Sequence, residues 1–196
     1  MEKIPNIEKS LSYSETIKPK NSLEESIILD PDWQKGSLYG KPREGHPEGA
    51  VIFHIVEVLN NIENLSNITE SEKEKLRLVA ILHDAFKYRV DSSRPRRDKN
   101  QHGAIARKFA EKYTDDAAVL MIIQFHDQAY DIWRRGNGTK NWSLAEDQVR
   151  DLIMEIGEEN VRLYTLFYQC DNATGTKSRE NFNWFKGIVG KYLDVH

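Results

Sequence analysis

Apolar residues recur along the chain at spacings of three and four, and several of the resulting rows end on a histidine or an aspartate. Pro47, Ala50, Val51 and His54 fall at i, i+3, i+4 and i+7. The same spacing joins Leu76, Val79, Ala80 and His83, then Val119, Ile122, Ile123 and His126, and finally Tyr164, Phe167, Tyr168 and Asp171. Side chains spaced this way share one face of an α-helix. The pattern therefore predicts four helices, each turning an apolar row and one polar residue toward a core. Asp84 lies about 100° round from His83 and continues the row of Ala80 and Ile81.

The punctuation of the chain sets the expected boundaries. The first of these helices is predicted to start near His46-Pro47-Glu48, because proline and an acidic residue suit a first turn, and to reach about Leu65. Ser71 with Glu74 has the form of a capping box and opens the helix carrying His83 and Asp84. His102 opens a shorter helix with Ile105, Ala106 and Phe109, and the next begins near Asp115. Gly136-Asn137-Gly138 predicts a turn. Ser143, with Glu146 three residues on, predicts the cap of a helix reaching Ile156, and a last helix runs from about Arg179 to Leu193. Residues 1–30 are polar and weakly periodic and read as a loose arm, with a short helix near Leu23–Leu29. The stretch from Asp30 to Gly45 is rich in turn residues, with Trp33, Leu38 and Tyr39 as anchors. No strand alternation, internal repeat or low-complexity segment stands out. The expected fold class is all-α, with an arm over 1–30 and one helical domain over 31–196.

Composition narrows the function. The chain has 196 residues, enough for one domain with a sizeable core. Its net charge of -3 argues against a globally basic protein that coats nucleic acid. With one cysteine, Cys170, it can form no internal disulfide and no cysteine-based zinc site. No apolar run has the length of a membrane span, and MEKIPNIEKSL lacks the apolar core of a signal peptide. The expected setting is soluble and cytoplasmic.

The polar ends of the apolar rows carry the chemistry. A carboxylate in a core is costly unless it is paired or bound to a metal. A single histidine on an apolar face is usually a hydrogen-bonded core residue, but four helices ending on His54, His83 with Asp84, His126 and Asp171 are harder to account for singly. Imidazoles and carboxylates converging between helices form metal sites of a kind bundles commonly build. A mixed N and O donor set suits Mn, Fe, Co, Ni or Zn, or Mg where carboxylates dominate. Lys87, one turn beyond His83, is either a phosphate ligand or an ordinary solvated lysine. Arg94, Arg96, Arg97 and Lys99 form the densest basic run, read as a solvated loop or as a grip on phosphate. Arg43 and His46 are further substrate-binding candidates in the Gly-rich entry. Tyr88, Tyr130, Trp133 and Trp142 either stack on a base or pack in the core. Cys170 has no evident base beside it and reads as buried.

These positions resemble a known family. His54, then His83-Asp84, then a distant Asp171 on a late helix is similar to the H…HD…D pattern of the HD-domain metal-dependent phosphohydrolases. Leu82-His83-Asp84-Ala85-Phe86-Lys87 resembles the family's LLHD-x-x-K run, with Phe86 where a glycine is often found. His46-Pro47-Glu48-Gly49, followed by His54, is similar to the HPEG…H segment of the HD domain in bacterial tRNA nucleotidyltransferases. The resemblance covers roughly Gly45 to Thr174. It implies a compact helical bundle in which His54, His83, Asp84 and Asp171 ligate one divalent metal. His102 and His126 would then hold a second metal, or hydrogen-bond substrate phosphate or a water. The catalytic candidates are then Asp84, Lys87, His102 and His126, and the substrate-binding candidates read from the residues themselves are Lys87, Arg43, His46, Arg94 and Arg97.

The implied function is metal-dependent hydrolysis of a phosphomonoester or phosphodiester of a nucleotide or nucleotide-like substrate through a metal-activated water. The HPEG segment gives weight to 2′,3′-cyclic phosphates or an RNA end, and the lack of overall basic charge to small nucleotides. A non-catalytic HD scaffold binding metal or nucleotide is the alternative. A purely structural bundle with buried polar residues is a third reading.

Overall fold

The computed structural model describes residues 12–95 and 98–193, and among them there is no β-strand. Eleven α-helices follow in order: α1 Tyr13–Ile17, α2 Ser22–Ile28, α3 Pro31–Ser37, α4 Val51–Glu63, α5 Glu70–Leu82, α6 His102–Ala110, α7 Ala117–Phe125, α8 Gln128–Thr139, α9 Trp142–Ile156, α10 Val161–Asn172 and α11 Glu180–Leu193. The protein is an all-α bundle, as the periodicity predicts.

Helix α5 is the centre. It packs against α4, α7 and α10, while α6 pairs with α7, and α8, α9 and α11 form the adjoining flank. Every residue of α5 from Leu76 to Leu82 is buried. A helix buried on all sides must be apolar all round, and Leu-Arg-Leu-Val-Ala-Ile-Leu obeys that except at Arg77. The Arg77 guanidinium is satisfied inside: Nε and an amino group donate to the two carboxylate oxygens of Glu24 at 2.8 Å, and the other amino group donates to Glu63 at 2.9 Å.

That contact bears on the loose arm expected over residues 1–30. Residues 12–30 instead fold as α1 and α2 against the body, and residues 1–11 lie outside the described residues. Ile17, Ile27 and Ile28 are buried, each stabilising the docked state by about 1.5–3 kcal/mol. Trp33 of α3 is fully buried, and its indole N–H donates to the Ile81 carbonyl at 2.8 Å. Helix α2 is the short helix expected near Leu23–Leu29, whereas the five residues of α1 have too few turns to show a periodic signal; the burial of their isoleucines and the Glu24–Arg77 pair hold the two helices.

Several boundaries differ from expectation, each for a local reason. The capping box of α5 is Thr69 with Glu72, not Ser71 with Glu74: Glu72 N–H donates to Thr69 Oγ1 at 3.1 Å and Thr69 N–H to Glu72 Oε2 at 2.8 Å. Helix α4 starts at Val51, because Arg43 to His46 closes a turn through paired backbone hydrogen bonds of 3.1 and 2.9 Å. Gly49, at φ +79°, keeps the chain out of helix there. Gly136-Asn137-Gly138 is the end of α8 rather than a turn, and Asn141 caps α9 in place of Ser143. Gly136 stays helical where Trp142 and Ala145 leave no room for a side chain.

Candidate metal centre

The residues that end the apolar rows all lie at or near helix ends. His54 is in the first turn of α4, His83 and His126 are the C-terminal caps of α5 and α7, His102 opens α6, and Asp171 lies in the last turn of α10. The two caps are built alike. His83 Nδ1 lies 2.9 Å from the Ala80 carbonyl and His126 Nδ1 2.8 Å from the Ile123 carbonyl. A carbonyl can only accept, so each Nδ1 carries the proton and each Nε2 presents a lone pair inward. Burial, reinforced by neighbouring imidazoles, pushes the His83 pKa down to about 3, so the ring is neutral.

On one side, His54 Nε2 is 3.3 Å from His83 Nε2, 2.9 Å from Asp171 Oδ1 and 3.7 Å from Asp84 Oδ2. His83 Nε2 is 3.5 Å from Asp84 Oδ2 and 3.9 Å from Asp171 Oδ1. A first-row ion at about 2.0–2.2 Å from tetrahedral ligands separates their donor atoms by roughly 3.3–3.6 Å. The edges among His54, His83 and Asp171 bracket that span, so these three side chains could hold one divalent ion, with Asp84 Oδ2 beside two of them.

On the other side, Asp84 Oδ1 faces two further imidazoles, 3.5 Å from His102 Nε2 and 3.4 Å from His126 Nε2. It is buried and makes no hydrogen bond. His102 Nε2 and His126 Nε2 are 3.0 Å apart. Because His126 presents a lone pair, the proton between them belongs to His102. Burial alone would lower the pKa of His102, but the carboxylates of Asp127 and Asp84 outweigh it and raise the value to about 9. Gly103 sets this spacing: a Cβ there would stand 2.4 Å from the Gln124 carbonyl oxygen, so only glycine lets α6 approach α7 so closely.

Asp84 thus turns one oxygen to each half of the cluster. Burial would raise its pKa, yet the Lys87 ammonium, 2.5 Å from Oδ2, and the surrounding histidines hold it well below the usual carboxylate range. Asp171 is also held low against burial, chiefly by Lys177 and His54. Four groups of donors lie within one ion's reach among the described residues: His54, His83 and Asp171; His83, Asp84 and His126; His102, His126 and Asp127; and, at the edge, His46, Glu48 and His54.

The structure brings His54, His83, Asp84, Lys87, His102, His126 and Asp171 together. His46 stands at the edge, its ring centroid 5.8 Å from that of His54. Arg43 is exposed on the turn that His46 closes. Arg94 is exposed and pairs with Asp91 at 3.2 Å rather than with the cluster. Arg96 and Arg97 lie outside the described residues. Asp127, which reads from the sequence as a helix-surface or supporting residue, places Oδ2 3.2 Å from His102 Nε2. Lys177 carried no signal at all: it lies in an aperiodic loop after α10 and reaches back to Asp171. Trp142 packs on Trp184 with ring centroids 5.6 Å apart, whereas Tyr130 and Trp133 stack on each other along α8, just beyond Asp127. Cys170 is buried, and burial pushes its thiol pKa up to about 12, which leaves no thiolate to act as a nucleophile.

No helix among the described residues is long and apolar enough to cross a membrane. Comparison with curated proteins and with solved structures returns no match. The family model for the HD domain matches residues 51–158, more than half of the chain. That stretch contains His54, His83, Asp84, His102 and His126, and the fold adds Asp171 from beyond it. By that match, and by the all-α bundle around the His-Asp pair, the chain belongs to the HD-domain family of metal-dependent phosphohydrolases.

Proposed function

We propose that this protein hydrolyses a phosphomonoester or phosphodiester of a nucleotide or nucleotide-like molecule, with a divalent ion at His54, His83, Asp84 and Asp171. The observation that carries this reading is the placement of Asp84, whose two oxygens face two groups of imidazoles while Lys87 leaves positive charge beside them. Mn, Fe, Co, Ni, Zn and Mg are the candidate ions, and His102 with His126 are the candidates for holding a second. Such an ion supplies Lewis acidity toward a phosphoryl oxygen and acidifies water.

The chain's own groups supply the rest. Lys87 Nζ, beside Asp84, is positioned to meet the charge that builds on phosphoryl oxygens during displacement. His102 carries a proton on Nε2 between Asp84 and Asp127 and can deliver it to a departing oxygen. His126, with its Nδ1 proton anchored on Ile123, offers Nε2 as an acceptor. The Tyr130–Trp133 pair, one turn beyond the site, supports a substrate that carries a base. The net charge of -3 favours a small nucleotide over an RNA end.

The test is phosphate release from nucleoside mono- and triphosphates, 2′,3′-cyclic nucleotides and a generic phosphodiester, each with Mn, Fe, Co, Ni, Zn or Mg. Wild type runs beside Asp84→Ala. Turnover of one substrate class, abolished in the variant, is expected. Tight metal binding without turnover of any substrate would leave a binding scaffold instead.

A further inference from the structure

Of the histidines in the first group, His83 has a partner that fixes its ring and His54 does not. The His54 Nδ1 atom is buried and makes no hydrogen bond. Its neighbour is Glu48 Oε1, 3.6 Å away. Both side chains are only 4% exposed, so water does not compensate either of them. The second oxygen of Glu48, Oε2, is likewise buried and without a partner. Two adjacent buried side chains therefore each carry unmet hydrogen-bonding capacity.

Glu48 is held in place from behind. His46 Nδ1–H donates to its Oε1 at 2.8 Å, and a carboxylate oxygen has a lone pair left for a second donor. Gly49 bends the chain at φ +79°, with Pro42 against it, and Gly175 packs so close that a Cβ there would stand 3.2 Å from Glu48 Oε2 and 2.6 Å from the Gly45 carbonyl oxygen. The whole His-Pro-Glu-Gly turn thus serves to seat one carboxylate behind the first histidine of α4.

His54 Nε2 lies 2.9 Å from Asp171 Oδ1, a distance that a proton on Nε2 accounts for. To offer that nitrogen to a cation, the ring must carry its proton on Nδ1, and Nδ1 then faces Glu48. A movement of less than about 1 Å brings the pair to hydrogen-bond distance. We propose that Glu48 is the positioning residue of His54: its carboxylate accepts the Nδ1–H, turns Nε2 to the ion and strengthens it as a donor. The inference rests on the metal-site reading above and assigns a role to Glu48, which neither the apolar periodicity nor the ligand set accounts for. Partners of this kind typically change metal affinity by about 10–100-fold.

The experiment uses the zinc ion alone as probe, on the full chain, by competition with a chelator. Glu48→Ala is expected to bind zinc about 10–100-fold more weakly than wild type, and the isosteric Glu48→Gln to fall between, since it keeps an acceptor and loses the charge. Melting of the metal-free proteins separates a binding effect from loss of fold, and the glutamine variant decides if the alanine variant is destabilised. In zinc-loaded wild type, imidazole NMR should show a protected His54 Nδ1 proton that is absent from Glu48→Ala. Zinc affinity unchanged in both variants, while His54→Ala loses it, overturns the inference, as does a wild type that takes up no zinc. A zinc-loaded wild type that cleaves no phosphate ester leaves Glu48 its role and removes only the hydrolase reading.

Discussion

Lys177 folds back from the loop after α10 to place its Nζ 3.2 Å from Asp171 Oδ1 and 3.0 Å from the Asp171 carbonyl oxygen. An ammonium on a candidate ligand carboxylate competes with a cation for the same oxygen. Unit charges about 4 Å apart near a protein surface interact by roughly 4 kcal/mol before screening. Lys177→Met should therefore bind Mn2+ at least ~10-fold more tightly than wild type. A Mn2+ titration checks this, and equal or weaker binding would mean that the lysine helps the site rather than competes for it.

Lys87 makes the matching contact on Asp84, but from a position one turn beyond the His-Asp pair. If it meets charge on the phosphoryl group, Lys87→Met should retain its metal and lose about 10²–10³-fold in kcat. Metal content and steady-state phosphate release, measured on the same preparation, give both numbers. A loss confined to metal content would place Lys87 in the structure of the site and not in the reaction.

The Glu24–Arg77 pair ties α2 to the central helix with both side chains almost fully buried. Removing one partner of such a pair strands a charge, at a cost of about 3–5 kcal/mol. Arg77→Met, which removes the cation paired with the buried Glu24 carboxylate, should lower unfolding free energy by that order in a denaturant titration. Replacing both residues, as Glu24→Leu with Arg77→Met, should recover most of the loss, because no uncompensated charge is then left inside.

Tyr113 donates its hydroxyl to Asp30 at 2.8 Å, linking the helix turn after α6 to the cap of α3. Burial, with the hydrogen bond and charge of Asp30, pushes the Tyr113 pKa up to about 12 from 10.0. The folded protein holds this proton more tightly than the unfolded chain. The contribution is full below pH 10 and is lost as pH rises from 10 to about 12. Tyr113→Phe should lose stability at neutral pH and show a flatter decline across that alkaline window. Melting temperature against pH for the two proteins measures both.

Much of the centre was legible in the sequence, because the spacing that buries Val79 and Ala80 also buries His83, and helical geometry leaves no freedom between them. The same holds for Ile122, Ile123 and His126. What stayed illegible depends on contacts between distant segments. Asp127 looks like a surface residue until His102, on a different helix, comes within 3.2 Å. Lys177 sits in a loop with no period to read. Ser71 with Glu74 and Thr69 with Glu72 are equivalent as strings, and only the start of the hydrogen-bonded turn decides between them. Gly136 looks like a breaker but is required by close packing on Trp142.

The indole of Trp33 has a practical consequence. Its N–H closes off a carbonyl in the last turn of α5, two residues before His83, and Gly36 on the same short helix packs directly on the Ala85 carbonyl. The stretch that identifies the family, 51–158, contains neither residue and stops short of Asp171. A fragment trimmed to the recognisable stretch would lack the floor under its own His-Asp pair as well as one of its candidate ligands. Expression, crystallisation or grafting of this centre should begin no later than Ser12 and extend past Lys177. Homology marks where the candidate metal centre is written, and a longer span of chain packs around it.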